Sequence, residues 1–154
     1  MSVKPIPEGY HSVTPYITVD DAAKAIDFYK KAFGATEIAR MDMGGKIGHA
    51  EIKIGDSVVM LSDEWPDRGK LGPKARGGST SSLMVYLPDV DAAFRRALDA
   101  GATQSMAVED QFWGDRMGSV TDPFGHSWML STHVEDVPED EMKRRMQAMT
   151  PEMA

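Results

Sequence analysis

A histidine and a glutamate two positions apart are the residues whose types and spacing could most directly do chemistry. His49 and Glu51 alternate with apolar residues along their segment, and side chains two apart on a strand share a face. The pair could therefore transfer protons or supply two ligands to a metal ion. The same spacing is also typical of a solvated pair on an exposed strand face, and two residues are too few for a catalytic metal site. A functional and a structural role both stay open for this pair.

A second group of candidates lies in the segment Gln111-Phe-Trp-Gly-Asp-Arg. Phe112 and Trp113 could wall a cleft for a flat ligand, and the guanidinium of Arg116 could fix the polar edge of that ligand. In the alternative interpretation, the two rings cover the rim of the fold while Asp115 and Arg116 stabilise the loop.

Composition limits the classes of partner. The chain has 154 residues, 42% of them hydrophobic, and a net charge of -7, so we expect one compact domain and no nucleic-acid partner. The chain has no cysteine, which excludes disulfides and thiolate metal sites. No stretch is apolar enough for a signal peptide or a membrane span, and we therefore expect a cytoplasmic protein with no membrane partner.

The elements that must position these residues occur twice along the chain. Each half contains a strand, a capped amphipathic helix, a Gly-Ala-Thr triplet and three further strands. The predicted strands are 13–19, 36–43, 46–54 and 57–62 in the first half and 82–87, 103–108, 116–121 and 126–131 in the second, with helices at 22–33 and 90–98. This order predicts an α+β fold of two tandem βαβββ modules, with helices on one face and a curved mixed sheet around a cleft on the other.

The modules are expected at about 10–62 and 81–134, joined by a linker at 63–80 and followed by a C-terminal helical tail at 135–154. The linker is rich in Gly and Pro and longer than most connections, so it could be a mobile lid, a disordered loop, or a segment that lets modules pair between chains. The methionines at 142, 146 and 149 form a helical stripe that could pack on this domain or on a partner subunit.

Three stretches resemble the vicinal oxygen chelate superfamily, which includes glyoxalase I, bleomycin-resistance proteins and extradiol dioxygenases. They are Val19-Asp-Asp-Ala-Ala-Lys-Ala-Ile-Asp-Phe-Tyr-Lys-Lys-Ala-Phe-Gly-Ala, Leu87-Pro-Asp-Val-Asp-Ala-Ala-Phe and Asp122-Pro-Phe-Gly-His-Ser-Trp. The resemblance implies a single domain of this superfamily over residues 10–134. The stretch Val108-Glu-Asp-Gln-Phe-Trp-Gly-Asp-Arg, with Gly48-His-Ala-Glu, is similar to glyoxalase-related bacterial proteins within it.

The resemblance also implies where the metal ligands of the superfamily would stand, namely at Thr14, Met60, Ser82 and Met129. None of these side chains is an ordinary ligand of a hard divalent ion. A pair of thioethers could hold cuprous copper, but two hydroxyls complete such a site poorly. We therefore expect no metal and no other cofactor at these positions.

The strand alternation directs the same methionines toward the cleft, because their neighbours form an apolar face for the helices. Together with the missing ligands, this favours a non-enzymatic protein that binds or sequesters a small apolar or aromatic molecule, as bleomycin-resistance proteins do. The expected ligand-binding residues are Thr14, Tyr16, Met60, Ser82, Met84, Phe112, Trp113, Arg116 and Met129.

Two other functions stay open. One is a glyoxalase-like lyase, isomerase or dioxygenase that uses His49, Glu51 or His126 in a rearranged site. The other is an interaction module whose methionines fill a closed core. The resemblance further implies a homodimer.

Overall fold

The computed structural model describes residues 3–149. The first module consists of β1 (Tyr16–Val19), α1 (Ala22–Phe33), β2 (Thr36–Met43), β3 (Lys46–Ile54) and β4 (Ser57–Asp63). A 3-10 turn at Pro66–Arg68 and the short helix α2 (Pro73–Arg76) follow, then β5 (Ser82–Tyr86), α3 (Val90–Asp99), β6 (Thr103–Asp110), β7 (Asp115–Thr121), β8 (Ser127–His133) and α4 (Glu139–Met149). The predicted α+β fold with two βαβββ modules is confirmed. The last residues of the predicted helical tail, 150–154, lie outside the described residues.

The two modules have the same strand order, β1-β4-β3-β2 in the first sheet and β5-β8-β7-β6 in the second. In each sheet the first strand runs parallel to the last, and the other neighbours are antiparallel. The mixed sheet thus takes the form of two separate four-stranded sheets. Their registers correspond as well, because Tyr16 pairs with Met60 in the first sheet and Met84 pairs with Met129 in the second.

Helices α1 and α3 each follow an aspartate and are fixed by the last strand of their own module. The side chains of Asp21 and Asp89 accept hydrogen bonds from backbone N–H groups three residues further on, as N-cap residues do. A side chain at the end of the last strand, Asp63 in β4 and Thr132 in β8, accepts the N–H of the first helical residue. Because two otherwise unpaired donors are satisfied, the helix starts at a defined place on its sheet.

The core lies between the sheets and the helices, and the two modules share it. The predicted apolar face of the strands is confirmed, since Val59, Leu61, Trp128 and Leu130 are buried and Leu83, Val85 and Leu87 pack against the same cluster. Helix α1 contacts α3 of the other module. It also packs Tyr29 and Phe33 against the Trp128 ring, at 5.2 and 4.8 Å between centroids. The two modules of one chain therefore form one body.

A buried carboxylate at the β7–β8 turn ties the modules together. Asp122 accepts hydrogen bonds from the hydroxyl of Tyr29 at 2.6 Å and from Nε1 of Trp128 at 2.8 Å. Its other oxygen accepts the backbone N–H groups of Phe124 and His126, both at 2.9 Å. Burial and the neighbouring Asp122 carboxylate raise the pKa of Tyr29 well above its usual value, so Tyr29 stays a neutral donor.

The structure differs from the predicted elements at β1 and in the linker. Strand β1 begins at Tyr16 instead of residue 13, because Pro15 has no N–H for a strand ladder. The linker is structured. Trp65 and Lys70 form an isolated antiparallel β-bridge, and Lys74 forms a salt bridge with Asp20 at 2.9 Å. The interpretation of this segment as a disordered loop is therefore wrong. Within residues 3–149, no helix is long and apolar enough to cross a membrane.

Candidate functional site

Each sheet has one face turned away from the helices, and these two surfaces carry most of the candidate residues. We call them the first open face, which carries Tyr16, His49, Glu51 and Met60, and the second open face, which carries Met84, Tyr86, Asp115 and Met129. Tyr16 is 44% exposed, Met84 41% and Tyr86 60%. The two methionines at the sheet centres, Met60 and Met129, are half-buried.

A chain of hydrogen bonds crosses the first open face. The hydroxyl of Tyr10 donates to Glu51, whose other oxygen lies 2.9 Å from Nε2 of His49. Nδ1 of the same imidazole lies 3.1 Å from the hydroxyl of Tyr16. In the strand register, Met60 lies opposite Tyr16 on one side and Glu51 on the other, so its thioether lies beside these hydrogen bonds. The predicted pair of His49 and Glu51 thus shares a face and is in contact.

The hydrogen bonds on the first open face determine which groups donate and which accept. The hydrogen bonds from Tyr10 and then His49 lower the pKa of Glu51, while the Glu51 carboxylate raises the pKa of Tyr10. Glu51 is therefore an acceptor at neutral pH, and a neutral His49 carries its hydrogen on Nε2. Nδ1 is then free to accept from Tyr16. Nζ of Lys70 lies 4.2 Å from the centroid of the Tyr16 ring, which places a cation at the same face.

The second open face holds a different cluster, centred on a buried acid. Asp115 is 3% exposed and accepts hydrogen bonds from Tyr86 at 2.9 Å, Trp113 at 3.1 Å and His133 at 2.8 Å. Burial would raise the pKa of Asp115, but the bonds from His133, Tyr86 and Trp113 outweigh it and lower the pKa. The other ring nitrogen of His133 contacts Asp136 at 2.9 Å. This histidine bridges two carboxylates.

The bridge predicts a pH dependence of stability. Hydrogen bonds to Asp136 and then Asp115 raise the pKa of His133 above its usual 6.5. Its stabilising contribution is therefore complete below about pH 6.5 and is lost as the pH rises through the elevated folded-state pKa. We expect the His133→Gln variant to lose this part of the dependence, in melting temperatures measured from pH 5.5 to 8.5. Parallel curves for the variant and the unmodified protein would contradict the assignment.

The aromatic loop and Arg116 lie at different places in the structure. Phe112 and Trp113 meet edge to face, 5.0 Å apart, and Trp113 reaches the second open face through its bond to Asp115. Arg116 instead faces the helices, where it contacts Asp91 of α3 at 2.7 and 2.9 Å, and its third contact is with Asp110 at 3.0 Å. These partners raise the pKa of Arg116. The structure does not bring the predicted guanidinium to either open face.

The two hydroxyl residues of the predicted set lie near the free edges of β1 and β5. Thr14 precedes β1 and donates to the carbonyl of His11 at 3.2 Å, while Ser82 donates to the hydroxyl of Ser127 at 2.9 Å. A recess of about 570 Å³ between the segment before β1, the β3–β4 turn and β5 includes Thr14 and Met84 in its lining. The predicted residues are therefore spread over two faces and a recess between strand edges.

His126, the other histidine considered for catalysis, has a structural partner. Its ring nitrogen Nε2 donates to the backbone carbonyl of Thr18 at 2.8 Å, and its backbone N–H donates to the Asp122 carboxylate. This side chain links the β7–β8 turn to β1 of the other module.

The residues present do not fit the metal ion that the resemblance implies. Thr14, Met60, Ser82 and Met129 offer two hydroxyls and two thioethers, whereas hard and borderline divalent ions need carboxylate or imidazole ligands. In the part of the chain from residue 3 to residue 149, no three His, Asp or Glu side chains are grouped so that they could hold a metal ion. His49 and Glu51 point at each other instead.

Sequence reasoning missed four members of these clusters. Tyr10 and Lys70 lie outside the strands, and no periodicity connects them to His49. His133 lies beyond the predicted last strand, 126–131, yet it ends β8 and contacts the buried Asp115. Strand alternation places Asp115 on the second open face, because it is four residues before Ser119 on β7, which pairs with Met129.

Comparison with known proteins agrees with this architecture. The family model of the Glyoxalase/Bleomycin resistance protein/Dioxygenase superfamily matches residues 9–130. An uncharacterized protein of Mycobacterium bovis is 48% identical over 139 residues, which cover 88% of this chain and 91% of that protein.

Solved structures extend the similarity. TioX from Micromonospora sp. ML1 has a TM-score of 0.63 and 25% identity, over 83% of this chain and 100% of TioX. A bleomycin resistance determinant encoded on the transposon Tn5 has a TM-score of 0.59 and 22% identity, over 80% of this chain and 98% of its own, and shows the fold alone. The family match over most of the chain and the duplicated βαβββ architecture lead to one conclusion. The chain belongs to the glyoxalase/bleomycin resistance protein/dioxygenase superfamily.

Proposed function

We propose that this protein binds a small apolar or aromatic molecule on its open faces. The observation that carries the proposal is the set of partly exposed methionine and tyrosine side chains there: Tyr16, Met60, Met84, Tyr86 and Met129. Thioethers and aromatic rings are flexible or flat, polarizable surfaces that suit apolar ligands. Ligand sites in proteins are mostly apolar, with a few polar groups that fix orientation.

Sequestration agrees with this set better than metal-dependent turnover does. A binding protein needs complementary area, which the methionines offer, and no reactive centre. The positions that would carry metal ligands hold Thr14, Met60, Ser82 and Met129. The similarity of fold to a bleomycin resistance determinant supports the same direction, with resistance to a toxic compound as a physiological role.

Charged substitutions at the two sheet-centre methionines test the proposal. We expect the Met60→Lys/Met129→Lys double variant to bind flat aromatic compounds at least about tenfold more weakly, because an ammonium group on each face must be desolvated by an apolar ligand. Isothermal titration calorimetry with a panel of aromatic compounds measures the change.

The matched control is Met149→Lys, since Met149 is an exposed methionine on the tail helix α4, with 58% of its surface accessible. This control should bind the same compounds with unchanged affinity. Equal affinity for the double variant and the unmodified protein would place the ligand elsewhere and refute the proposal.

An enzyme is the second candidate, favoured by the contact of His49 with Glu51 at 2.9 Å. It would be a glyoxalase-like lyase, isomerase or dioxygenase with a rearranged site. Metal analysis of protein purified without chelators separates the candidates, because stoichiometric nickel, zinc, manganese or iron would favour the enzyme. For either function we expect a homodimer, as the resemblance implies.

A further inference from the structure

The hydrogen-bonded chain on the first open face ends in a group that a ligand can reach. Tyr16 is 44% exposed, and its hydroxyl oxygen lies 3.1 Å from Nδ1 of His49, to which it donates when His49 carries its hydrogen on Nε2. A phenolic oxygen that donates its hydrogen still has lone pairs to accept another. Tyr16 therefore presents an acceptor to the first open face, backed by an imidazole that can take a proton.

The residues behind Tyr16 are arranged to stabilise that proton. If the proton of Tyr16 moves to Nδ1, His49 becomes an imidazolium held between Tyr16 and the Glu51 carboxylate, 2.9 Å from Nε2. Glu51 is kept ionised by its bonds from Tyr10 and His49. That carboxylate would form an ion pair with the imidazolium. Tyr16 and Glu51 contact the imidazole directly, while Tyr10 contacts Glu51 and Lys70 lies over the Tyr16 ring.

We infer that the first open face is a proton-accepting site for ligands with an acidic hydroxyl, above all phenols, which it binds as phenolates. The ligand hydroxyl gives its proton to the oxygen of Tyr16, the proton of Tyr16 passes to His49, and the ligand keeps the electron pair as an oxyanion. Nζ of Lys70, 4.2 Å from the Tyr16 ring centroid, supplies a cation beside that oxyanion. No other reactant is needed.

The second open face lacks this capacity, although it also has a tyrosine, an acid and a histidine. Its tyrosine, Tyr86, donates directly to Asp115, and no imidazole stands between them. Both nitrogens of His133 face carboxylates, those of Asp115 and Asp136, which raises its pKa. Because carboxylates only accept hydrogen bonds, both ring nitrogens of His133 are engaged as donors and neither is open to a proton from a tyrosine. The two faces therefore differ in chemistry despite their common strand order.

The inference rests on the proposed function, and one pair of probes separates the two. 4-Nitrophenol has differently coloured phenol and phenolate forms, and 4-nitroanisole is its methyl ether with no acidic hydrogen. We expect both to bind, and bound nitrophenol to have its apparent pKa lowered by about 1, a tenfold change in proton affinity. Absorbance titrations of the probe with and without the full protein measure this shift, and calorimetry measures binding of the ether.

Three variants locate the effect. His49→Gln and Tyr16→Phe should abolish the shift, and circular dichroism with nitroanisole binding verifies that each variant is folded and still binds. His133→Gln is the matched control, a histidine that also contacts a carboxylate, and should keep the shift.

The outcomes are distinct. The inference is overturned if nitroanisole binds but the pKa of nitrophenol is unchanged, or if the pKa shift persists in the His49→Gln variant. Either result leaves the proposed function intact. Failure of both probes to bind overturns both.

Discussion

Replacement of Asp122 by alanine is expected to lower the free energy of unfolding by about 3–5 kcal/mol. The carboxylate is 4% exposed and accepts hydrogen bonds from Tyr29 at 2.6 Å and Trp128 at 2.8 Å. Both donors are themselves fully buried, so the substitution leaves them without an acceptor in an apolar core. Each unsatisfied donor costs about 1–3 kcal/mol, and the backbone bonds of the turn are lost in addition. Urea denaturation at pH 7, followed by tryptophan fluorescence, measures the loss.

The first module supplies the control for this substitution. Asp56 lies in the corresponding turn between β3 and β4, where it is exposed and bonds to its neighbour Ser57 at 2.8 Å. The Asp56→Ala change should cost less than about 0.5 kcal/mol. A double-mutant cycle of Asp122→Ala with Tyr29→Phe should show strong coupling, because both remove the same bond. A loss below about 1 kcal/mol for Asp122→Ala would contradict the role given to this carboxylate.

The fold was predictable because its signals are local. The aspartates that cap α1 and α3 and the alternation of apolar residues along β3, β4 and β8 each specify one element within a few residues. Several strand and helix bounds, including Lys46–Ile54 and Ala22–Phe33, agree with the sequence prediction. Pro15 shortened β1, for a reason that is also local.

The candidate site was predictable only in part. Two residues on one strand, such as His49 and Glu51, share a face by spacing alone, so their common face followed from the sequence. Tyr10 and Lys70 reach the same face from a terminal segment and from the linker. Such contacts depend on how the chain packs in three dimensions, which no periodicity encodes. Arg116 was predicted to bind the ligand, but its position on β7 turns it toward α3, away from both open faces.

The helix faces of the sheets and the first open face differ in how far their polar groups are engaged, and this difference connects fold with function. On the helix side, polar groups such as Asp122 are saturated by partners of fixed geometry. On the open side, the hydroxyl of Tyr16 contacts His49, and the Tyr16 residue is 44% exposed. Saturated buried groups stabilise a single structure, while an incompletely used acceptor at the surface is available to a ligand.

Replacement of Gly114 by alanine is expected to lower the free energy of unfolding by about 3 kcal/mol or more. The reason is that the loop before β7 contacts the segment that follows β8. At Gly114 φ is 100°, and an added Cβ would lie 2.0 Å from the carbonyl oxygen of Glu135. Relief of this backbone clash would break the bonds from the N–H groups of Val134 and Glu135 to the Gly114 carbonyl, at 2.9 and 3.0 Å. Gly44→Ala is the control, since φ there is 61° with open space around the added atom, and it should cost only the 1–2 kcal/mol or so of the left-handed conformation. Urea denaturation of both variants gives the comparison, and equal losses would show that the clash is absorbed without movement of the tail.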